Sequence, residues 1–164
     1  MGGTADHGCL HYFDGGMMFE CMIIGDSIAV GVAQAARNYH RVCEVQAKSG
    51  YTSSQAFTQY VDRWPADRRA KNTIISIGSN DINARTTLQH ANNIRERIQG
   101  QVWWILPSAE IKPQQRKVIL EVAAAWGDRT IDVAPRQLSA DKIHPTHRGY
   151  IELADRALHI IDKD

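Results

Sequence analysis

The stretch Cys21-Met-Ile-Ile-Gly-Asp-Ser-Ile-Ala-Val-Gly31 decides the fold, because a short apolar run ends abruptly in Gly25-Asp26-Ser27. Apolar residues then recur with the spacing of one helix face, at Ile28, Val32, Ala35, Ala36 and Tyr39. This pattern predicts a buried strand, a tight turn and a helix. Ser27 is expected at the turn, with its hydroxyl above the strand's carboxyl end and the unpaired N–H groups of the helix start beside it.

Two interpretations of this turn remain open at the level of the motif itself. Asp26 or Ser27 can cap the helix. Alternatively, Ser27 can act as a nucleophile, since the N–H groups at the helix start would stabilise the oxyanion that develops beside it. Three-residue motifs recur by chance, so the rest of the chain has to decide between them.

Composition places the chain among ordinary globular proteins and excludes several function classes. It has 164 residues, 43% hydrophobic and 23% charged, with a formal net charge of +1. One domain is expected, preceded by an arm or leader, so that residues 1–18 form the arm and residues 19–164 the domain. The chain has no block of basic residues that would indicate a nucleic-acid partner. No apolar run approaches the ~20 residues that are needed to span a bilayer. The first residues lack the features of a secretory signal, so the expected compartment is the cytoplasm.

The three cysteines, Cys9, Cys21 and Cys43, are too few and too irregularly spaced to predict a disulfide framework. Cys21 and Cys43 fall in candidate strands, where they are expected to act as small buried hydrophobic residues. A metal site at His7, Cys9 and His11 is disfavoured because the spacing matches no familiar site and a fourth ligand is not evident. We therefore expect neither a metal nor an organic cofactor.

Strand and helix patterns alternate five times along the chain. Strands are predicted at 19–24, 42–47, 73–77, 102–106 and 130–133, and helices at 28–39, 53–64, 86–98, 118–126 and 146–161. The strands are nearly continuous apolar runs, so both faces of the sheet should be covered. The prediction is an α/β protein, a three-layer α/β/α sandwich on a five-stranded parallel sheet with the flavodoxin-like order 2-1-3-4-5. Ligands bind such sheets beyond the carboxyl ends of the strands.

The segment Asp141-Lys-Ile-His-Pro145 lies at that same edge, just before the last helix. A nucleophilic serine needs a base to take its proton, and the base needs a hydrogen-bond acceptor to orient it. His144 and Asp141 supply both on one loop. The alternative is that these two residues are merely surface and helix-capping residues, as most of the seven histidines here are expected to be.

Four motifs in order complete a recognisable set: Gly-Asp-Ser at 25–27, a glycine at 50, Gly-Ser-Asn-Asp at 78–81 and Asp-Lys-Ile-His-Pro at 141–145. With these motifs the chain resembles the SGNH hydrolases, also called the GDSL lipase/esterase superfamily, over nearly all of its length from residue 19. Ile28 replaces the leucine usual at the fourth position of the first motif, which keeps size and polarity.

The resemblance implies a role for each matching residue. Ser27 is implied to be the nucleophile, His144 the general base and Asp141 the residue that orients the imidazole. The oxyanion hole is implied to consist of the Ser27 N–H, the Gly50 N–H and the Asn80 side-chain amide. A glycine lets the backbone approach a reacting carbonyl closely, and a neutral amide favours the oxyanion over the carbonyl.

The expected function is a serine esterase acting on small acyl esters, with acetyl esters of a carbohydrate or other small molecule as the favoured substrates. The brief loops suit small acyl groups better than long lipid chains. Trp103 and Trp104 precede the loop expected to line the leaving-group side, where they either stack on a sugar or belong to the sheet core. A lysophospholipase or thioesterase with the same catalytic residues, and a non-catalytic carbohydrate- or partner-binding module, remain alternatives.

Overall fold

The structure is a computed structural model that describes residues 10–13, 16–37, 43–64 and 69–163. The strands are β1 (Leu10–Phe13), β2 (Gly16–Gly25), β3 (Glu44–Ala47), β4 (Arg69–Ser76), β5 (Gln101–Ile105) and β6 (Arg129–Ile131). The helices are α1 (Ser27–Arg37), α2 (Ser53–Gln59), α3 (Ala84–Glu96), α4 (Pro113–Trp126) and α5 (His147–Lys163), and short 3₁₀ helices span Val61–Arg63 and Pro135–Gln137. Strands and helices alternate from β2 onward, as predicted.

The sheet has the predicted topology. Its parallel strands run in the order β3-β2-β4-β5-β6, which is the order 2-1-3-4-5 of the predicted strands. At the carboxyl end of β2, Gly25 pairs with Ala47 of β3 on one side and with Ser76 of β4 on the other. The chain therefore leaves β2 for α1 at the centre of the sheet edge, between two neighbouring strand ends.

One strand, β1, was not predicted from the sequence. It pairs antiparallel with the start of β2, with Leu10 opposite Phe19 and Phe13 opposite Gly16. Because β4 occupies the other edge of β2 from Met18 onward, β1 lies on the same side of β2 as β3. The sheet thus extends into the segment predicted as an arm. Residues 1–9, with His7 and Cys9, lie outside the described residues.

Two hydrophobic cores cover the two faces of the sheet. Adjacent strand residues point to opposite faces, so Ile23 and Trp103 pack with α1 and α5, whereas Ile24 and Trp104 pack with α2, α3 and α4. Trp103 is 1% exposed and Trp104 is fully buried, so both belong to the sheet core and neither is available to stack on a sugar. Among the described residues, no helix combines the length and apolar character needed to cross a membrane.

Cys21 and Cys43 form a disulfide that the sequence did not predict. Both are buried as predicted, and the bond between their sulfurs joins β2 to the residue preceding β3. Their 22-residue separation in sequence hid the pairing, whereas the parallel register of β2 and β3 brings the two Cα atoms to 4.8 Å. That Cα separation lies within the range a disulfide requires.

Candidate active site

The turn from β2 into α1 requires its glycine. Gly25 has φ +140°, and a Cβ atom there would lie 1.8 Å from the carbonyl oxygen of Ser76. Any larger residue would push β2 away from β4 at the point where the chain turns. Ser27 is the first residue of α1, so its hydroxyl stands at the carboxyl edge of the sheet as predicted.

The buried side chain of Asp26 stabilises this turn by hydrogen bonds. It is fully buried, and its Oδ1 accepts hydrogen bonds from the Ile28 N–H at 3.0 Å and from the Ser76 hydroxyl at 3.0 Å. Its Oδ2 has no hydrogen-bond partner among the described residues. Burial raises the pKa of Asp26 to about 6, against the lowering effect of these hydrogen bonds. Asp26 therefore positions the turn and does not contact a reacting atom.

The structure brings Ser27, His144 and Asp141 together although 117 residues separate the first two. Ser27 Oγ lies 2.7 Å from His144 Nε2, and His144 Nδ1 lies 2.6 Å from Asp141 Oδ2. The His144 ring is placed for proton transfer from Ser27. When its Nδ1–H donates to the Asp141 carboxylate, its Nε2 is free to accept the serine proton. This is the geometry of a nucleophile, a base and an orienting acid in series.

The loop that carries the acid and the base is closed on itself by hydrogen bonds. Asp141 Oδ1 accepts from the Ile143 and His144 N–H groups and from the Ser139 hydroxyl, at 2.8–2.9 Å. The His144 imidazole, followed by these backbone N–H groups, holds the pKa of the Asp141 carboxyl well below its usual range. The Ser139 N–H also donates to the His144 carbonyl at 2.7 Å, and Lys142 has φ +61°. The His144 ring is thus fixed within its own loop.

The three implied oxyanion donors all lie at the same edge of the sheet. Gly50 has φ +85°, and a Cβ atom there would meet nothing within 4 Å, so the backbone conformation rather than space favours glycine at this position. Asn80 donates one amide hydrogen to the Tyr51 carbonyl at 2.9 Å, which ties it to the residue after Gly50 and leaves its second amide hydrogen for another acceptor. Their roles in an oxyanion hole stay predictions.

Asp81 anchors the loop that carries Asn80. Its side chain is buried and accepts hydrogen bonds from the Ser53 N–H, the Ser53 hydroxyl and the Thr87 hydroxyl at 2.6–2.9 Å. Its carbonyl accepts from Lys112 Nζ and Gln115 Nε2, both at 3.0 Å. The loop after β4 is therefore bound to α2, α3 and α4, which fixes the position of the Asn80 amide.

Two cavities are lined by Ser27 or by residues adjacent in sequence to Ser27 and His144. One, of about 110 Å³, is mainly apolar; its wall includes Ile28, which follows Ser27, and Ile143, which precedes His144. The other, of about 550 Å³, is an open cleft between α1 and α5 that includes Ser27 itself. Ser27 therefore lines an open cleft of mixed polar and apolar character, and the residues next to Ser27 and His144 in sequence line a smaller, mainly apolar cavity.

The described part of the chain contains no cluster of three or more His, Cys, Asp or Glu side chains that could hold a metal ion. Of the three residues considered as ligands from the sequence, His7 and Cys9 lie outside the described residues.

Solved structures share this architecture. A lipolytic G-D-S-L family protein from Veillonella parvula superposes with a TM-score of 0.66 at 17% identity, covering 90% of this chain and all of that chain. The chain has the fold of the SGNH hydrolases. A carbohydrate esterase family 3 protein from Talaromyces cellulolyticus gives a TM-score of 0.63 at 12% identity, covering 88% and 98% of the two chains.

The SGNH fold also occurs in the C-terminal catalytic domain of peptidoglycan O-acetyltransferase A from Streptococcus pneumoniae, with a TM-score of 0.61 at 16% identity over 87% of this chain and 94% of that one. No family model and no curated relative matches the sequence. These likenesses confirm the expected fold.

The sequence did not predict the residues that position the candidate catalytic groups. Ser139 and Ser76 contact Asp141 and Asp26 respectively, but serines in loops and at strand ends are common, so nothing in the sequence singled them out. Tyr150 was predicted only as part of the apolar face of the last helix. It does pack against the core shared with α1 and α5, and it also lines the cleft that contains Ser27.

Proposed function

We propose that the protein is a serine hydrolase of carboxylic esters that acts through an acyl-enzyme on Ser27. The observation that carries this proposal is the unbroken chain of short hydrogen bonds from Ser27 Oγ through the His144 ring to Asp141. A serine that only caps a helix does not require hydrogen bonds to a histidine and an aspartate in series. The names of similar structures, which include an acetyl esterase and an arylesterase, agree with ester chemistry.

The reaction follows from the geometry in two halves. In the first, His144 Nε2 takes the proton of Ser27 as Oγ bonds to the ester carbonyl carbon, and the tetrahedral oxyanion forms. The Ser27 N–H, the Gly50 N–H and the Asn80 amide donate to it. The C–O bond to the alcohol then breaks, and His144 gives its proton to the departing alkoxide oxygen.

In the second half, water takes the place of the alcohol. His144 removes a proton from the water as its oxygen bonds to the acyl carbon, and the Ser27 ester bond breaks with return of that proton to Oγ. The products are a carboxylic acid and an alcohol. Asp141 holds the ring so that Nδ1 keeps its hydrogen, and it stabilises the imidazolium in both halves.

We further propose that the acyl group is small, with acetyl as the favoured case. The mainly apolar cavity whose wall includes Ile28 and Ile143 measures about 110 Å³ and is also lined by Leu138 and Val133. Such a space fits a short acyl group and has no room for a long chain. The same machinery in a lysophospholipase or thioesterase would need an extended apolar groove at this place.

The test is hydrolysis of p-nitrophenyl esters with acyl chains from two to ten carbons by wild type and by Ser27→Ala. We expect kcat/KM to be greatest for acetate and to fall with chain length, and Ser27→Ala to lower kcat by about 10⁴-fold or more while remaining folded. A phosphonate probe should label Ser27, as located by peptide mass spectrometry.

Each alternative has its own outcome. A rate that rises toward eight or ten carbons would indicate the lysophospholipase or thioesterase function. Hydrolysis that survives in folded Ser27→Ala, or a phosphonate adduct on another residue, would overturn the mechanism. No Ser27-dependent turnover of any ester would favour the binding module.

A further inference from the structure

A cleft between α1 and α5 opens beside Ser27. It measures about 550 Å³ and is lined by one stripe of α1, by the start of α5, and at its head by Ser27 and Ser49. Ser49 is the neighbour of Gly50, so the head of the cleft adjoins the expected oxyanion hole. The cleft therefore begins where an ester carbonyl would react and continues away along the two helices.

The lining of this cleft combines apolar residues, such as Val30 and Ile151, with polar residues that carry no formal charge. They include Gln34, Ser49, His147 and Tyr150, and no Asp, Glu, Lys or Arg is among the described lining residues. Amide, hydroxyl, imidazole and phenol groups each donate and accept hydrogen bonds. Such a set matches a ligand that carries several neutral hydroxyl groups. It does not match a phosphate, a carboxylate or a quaternary ammonium group, which charged or aromatic-caged sites bind.

Tyr150 is the residue whose environment points most clearly to a ligand. Its ring packs against Gly31, where a Cβ atom would lie 2.2 Å from the ring, so glycine is required for this packing. The side chain is half-buried, yet no described residue forms a hydrogen bond with its hydroxyl. The hydroxyl can therefore donate to and accept from a ligand in the cleft. Burial and the nearby charges of Asp26 and Asp141 raise the pKa of Tyr150 to about 12, so the phenol keeps its proton at neutral pH.

We propose that this cleft binds the alcohol part of the ester, and that the alcohol is neutral and rich in hydroxyl groups, as a sugar residue is. The Tyr150 hydroxyl and the Gln34 amide hold it by hydrogen bonds. The acyl group occupies the small, mainly apolar cavity whose wall includes Ile28 and Ile143. This inference rests on the proposed function, and it assigns the two sides of the scissile bond to two different spaces.

The first experiment holds the acyl group constant and varies the alcohol. We compare kcat/KM for methyl 6-O-acetyl-glucopyranoside, p-nitrophenyl acetate and acetylcholine with wild type. The sugar ester should be preferred to acetylcholine, because the cleft offers hydroxyl partners and no anionic group. Preference for acetylcholine over the sugar ester would overturn the assignment of a neutral alcohol.

The second experiment removes the hydrogen bonds. Tyr150→Phe and Gln34→Ala should each lower kcat/KM for the sugar ester about fivefold more than for p-nitrophenyl acetate, as expected for loss of one neutral hydrogen bond. The matched control is Gln89→Ala on α3, which packs on the opposite face of the sheet and should leave the ratio of the two substrates unchanged. Equal losses on both substrates, or no loss on either, would refute the proposed site.

A binding measurement separates this inference from the proposed function. NMR titration of Ser27→Ala with methyl 6-O-acetyl-glucopyranoside should shift the backbone amides of Gly31, Gln34 and Tyr150, whether or not wild type hydrolyses the ester. Shifts confined to other regions, or no saturable shift, would refute the cleft. If these amides shift but no ester is turned over, the proposed hydrolase function fails and the sugar site stands.

Discussion

At the scale of single residues, Asp141 has two tasks that its two oxygens divide between them. Oδ2 faces His144 Nδ1, while Oδ1 closes the loop by accepting from two backbone N–H groups and from Ser139. Its side chain is 46% exposed, so water can replace some of these contacts. The orienting contact to the imidazole is therefore the one that a substitution at Asp141 most affects.

This division predicts that Asp141→Asn is more damaging than Asp141→Ala. An asparagine can keep the contacts of Oδ1, which places its NH₂ group against His144 Nδ1. The ring must then carry its hydrogen on Nε2, where it cannot accept the serine proton. In Asp141→Ala, water can accept from Nδ1–H and the productive tautomer survives. We expect kcat to rank wild type, Asp141→Ala, Asp141→Asn, measured with p-nitrophenyl acetate, with His144→Ala as the inactive reference. The opposite order of the two Asp141 variants would show that loop structure matters more than the tautomer.

The raised pKa of Asp26 predicts that the stability of the folded protein depends on pH. This pKa is about 6 in the folded protein and near 3.8 in the unfolded chain, so between these values the folded state binds more protons. The free energy of unfolding should therefore fall as pH rises from about 4 to 6, and Asp26→Asn should lack this decrease. Over that range wild type should lose up to about 3 kcal/mol relative to Asp26→Asn, measured by urea unfolding at each pH. Parallel pH profiles for the two proteins would contradict the raised pKa.

At the scale of elements, the disulfide fastens the strand that leads into the Ser27 turn. It closes a loop that contains the end of β2, the turn and α1. Cross-linking a loop of this length restricts the unfolded chain and typically adds 2–4 kcal/mol of stability. Disulfides persist mainly in oxidising compartments, so this bond favours such a compartment over the cytoplasm expected from the sequence.

Reduction is expected to lower the melting temperature of the protein. Loss of about 3 kcal/mol corresponds to roughly 6–12 °C for a chain of this size. The double variant Cys21→Ala/Cys43→Ala should show this decrease without reductant, and dithiothreitol should not lower its melting temperature further. Thiol titration of the denatured, unreduced protein should find one free cysteine. Three titratable thiols, or a melting temperature that dithiothreitol does not change, would contradict the disulfide.

At the scale of the whole molecule, one sheet joins two separate cores. Ile131 is fully buried in the core shared with α1 and α5, and Ile94 is fully buried in the core shared with α2 and α4. The site depends on both layers, because Ser27 and His144 lead into helices on one face while the Asn80 loop is anchored to helices on the other. The three-layer arrangement thus determines how the catalytic groups meet.

Substitutions in the two cores should have additive effects on the free energy of unfolding, although the two cores unfold in one transition. Ile131→Val and Ile94→Val should each cost about 0.5–1.5 kcal/mol, and the double variant should equal their sum within about 0.5 kcal/mol. Tryptophan fluorescence and far-UV circular dichroism should report the same urea transition for all three, since both layers share β2, β4 and β5. Two separate transitions would show that the layers unfold as independent units.

The sequence by itself determined the architecture and predicted the candidate catalytic residues. Apolar runs in alternation with 3.6-residue periodicity dictate a covered parallel sheet, and Gly25-Asp26-Ser27 dictates a strand–turn–helix, because both are properties of neighbouring residues along the chain. Asp141 and His144 were recognisable for the same reason, since a base and its orienting acid stand on one short loop.

Only the tertiary structure decided which distant groups meet. The pairing of Cys21 with Cys43 depends on the register of two strands, and the β1 hairpin depends on an unoccupied sheet edge. The closure of His144 onto Ser27 and the position of Tyr150 beside it depend on how α5 packs against α1. These contacts arise from the packing of elements that are far apart in the chain, so no local pattern of residues encodes them.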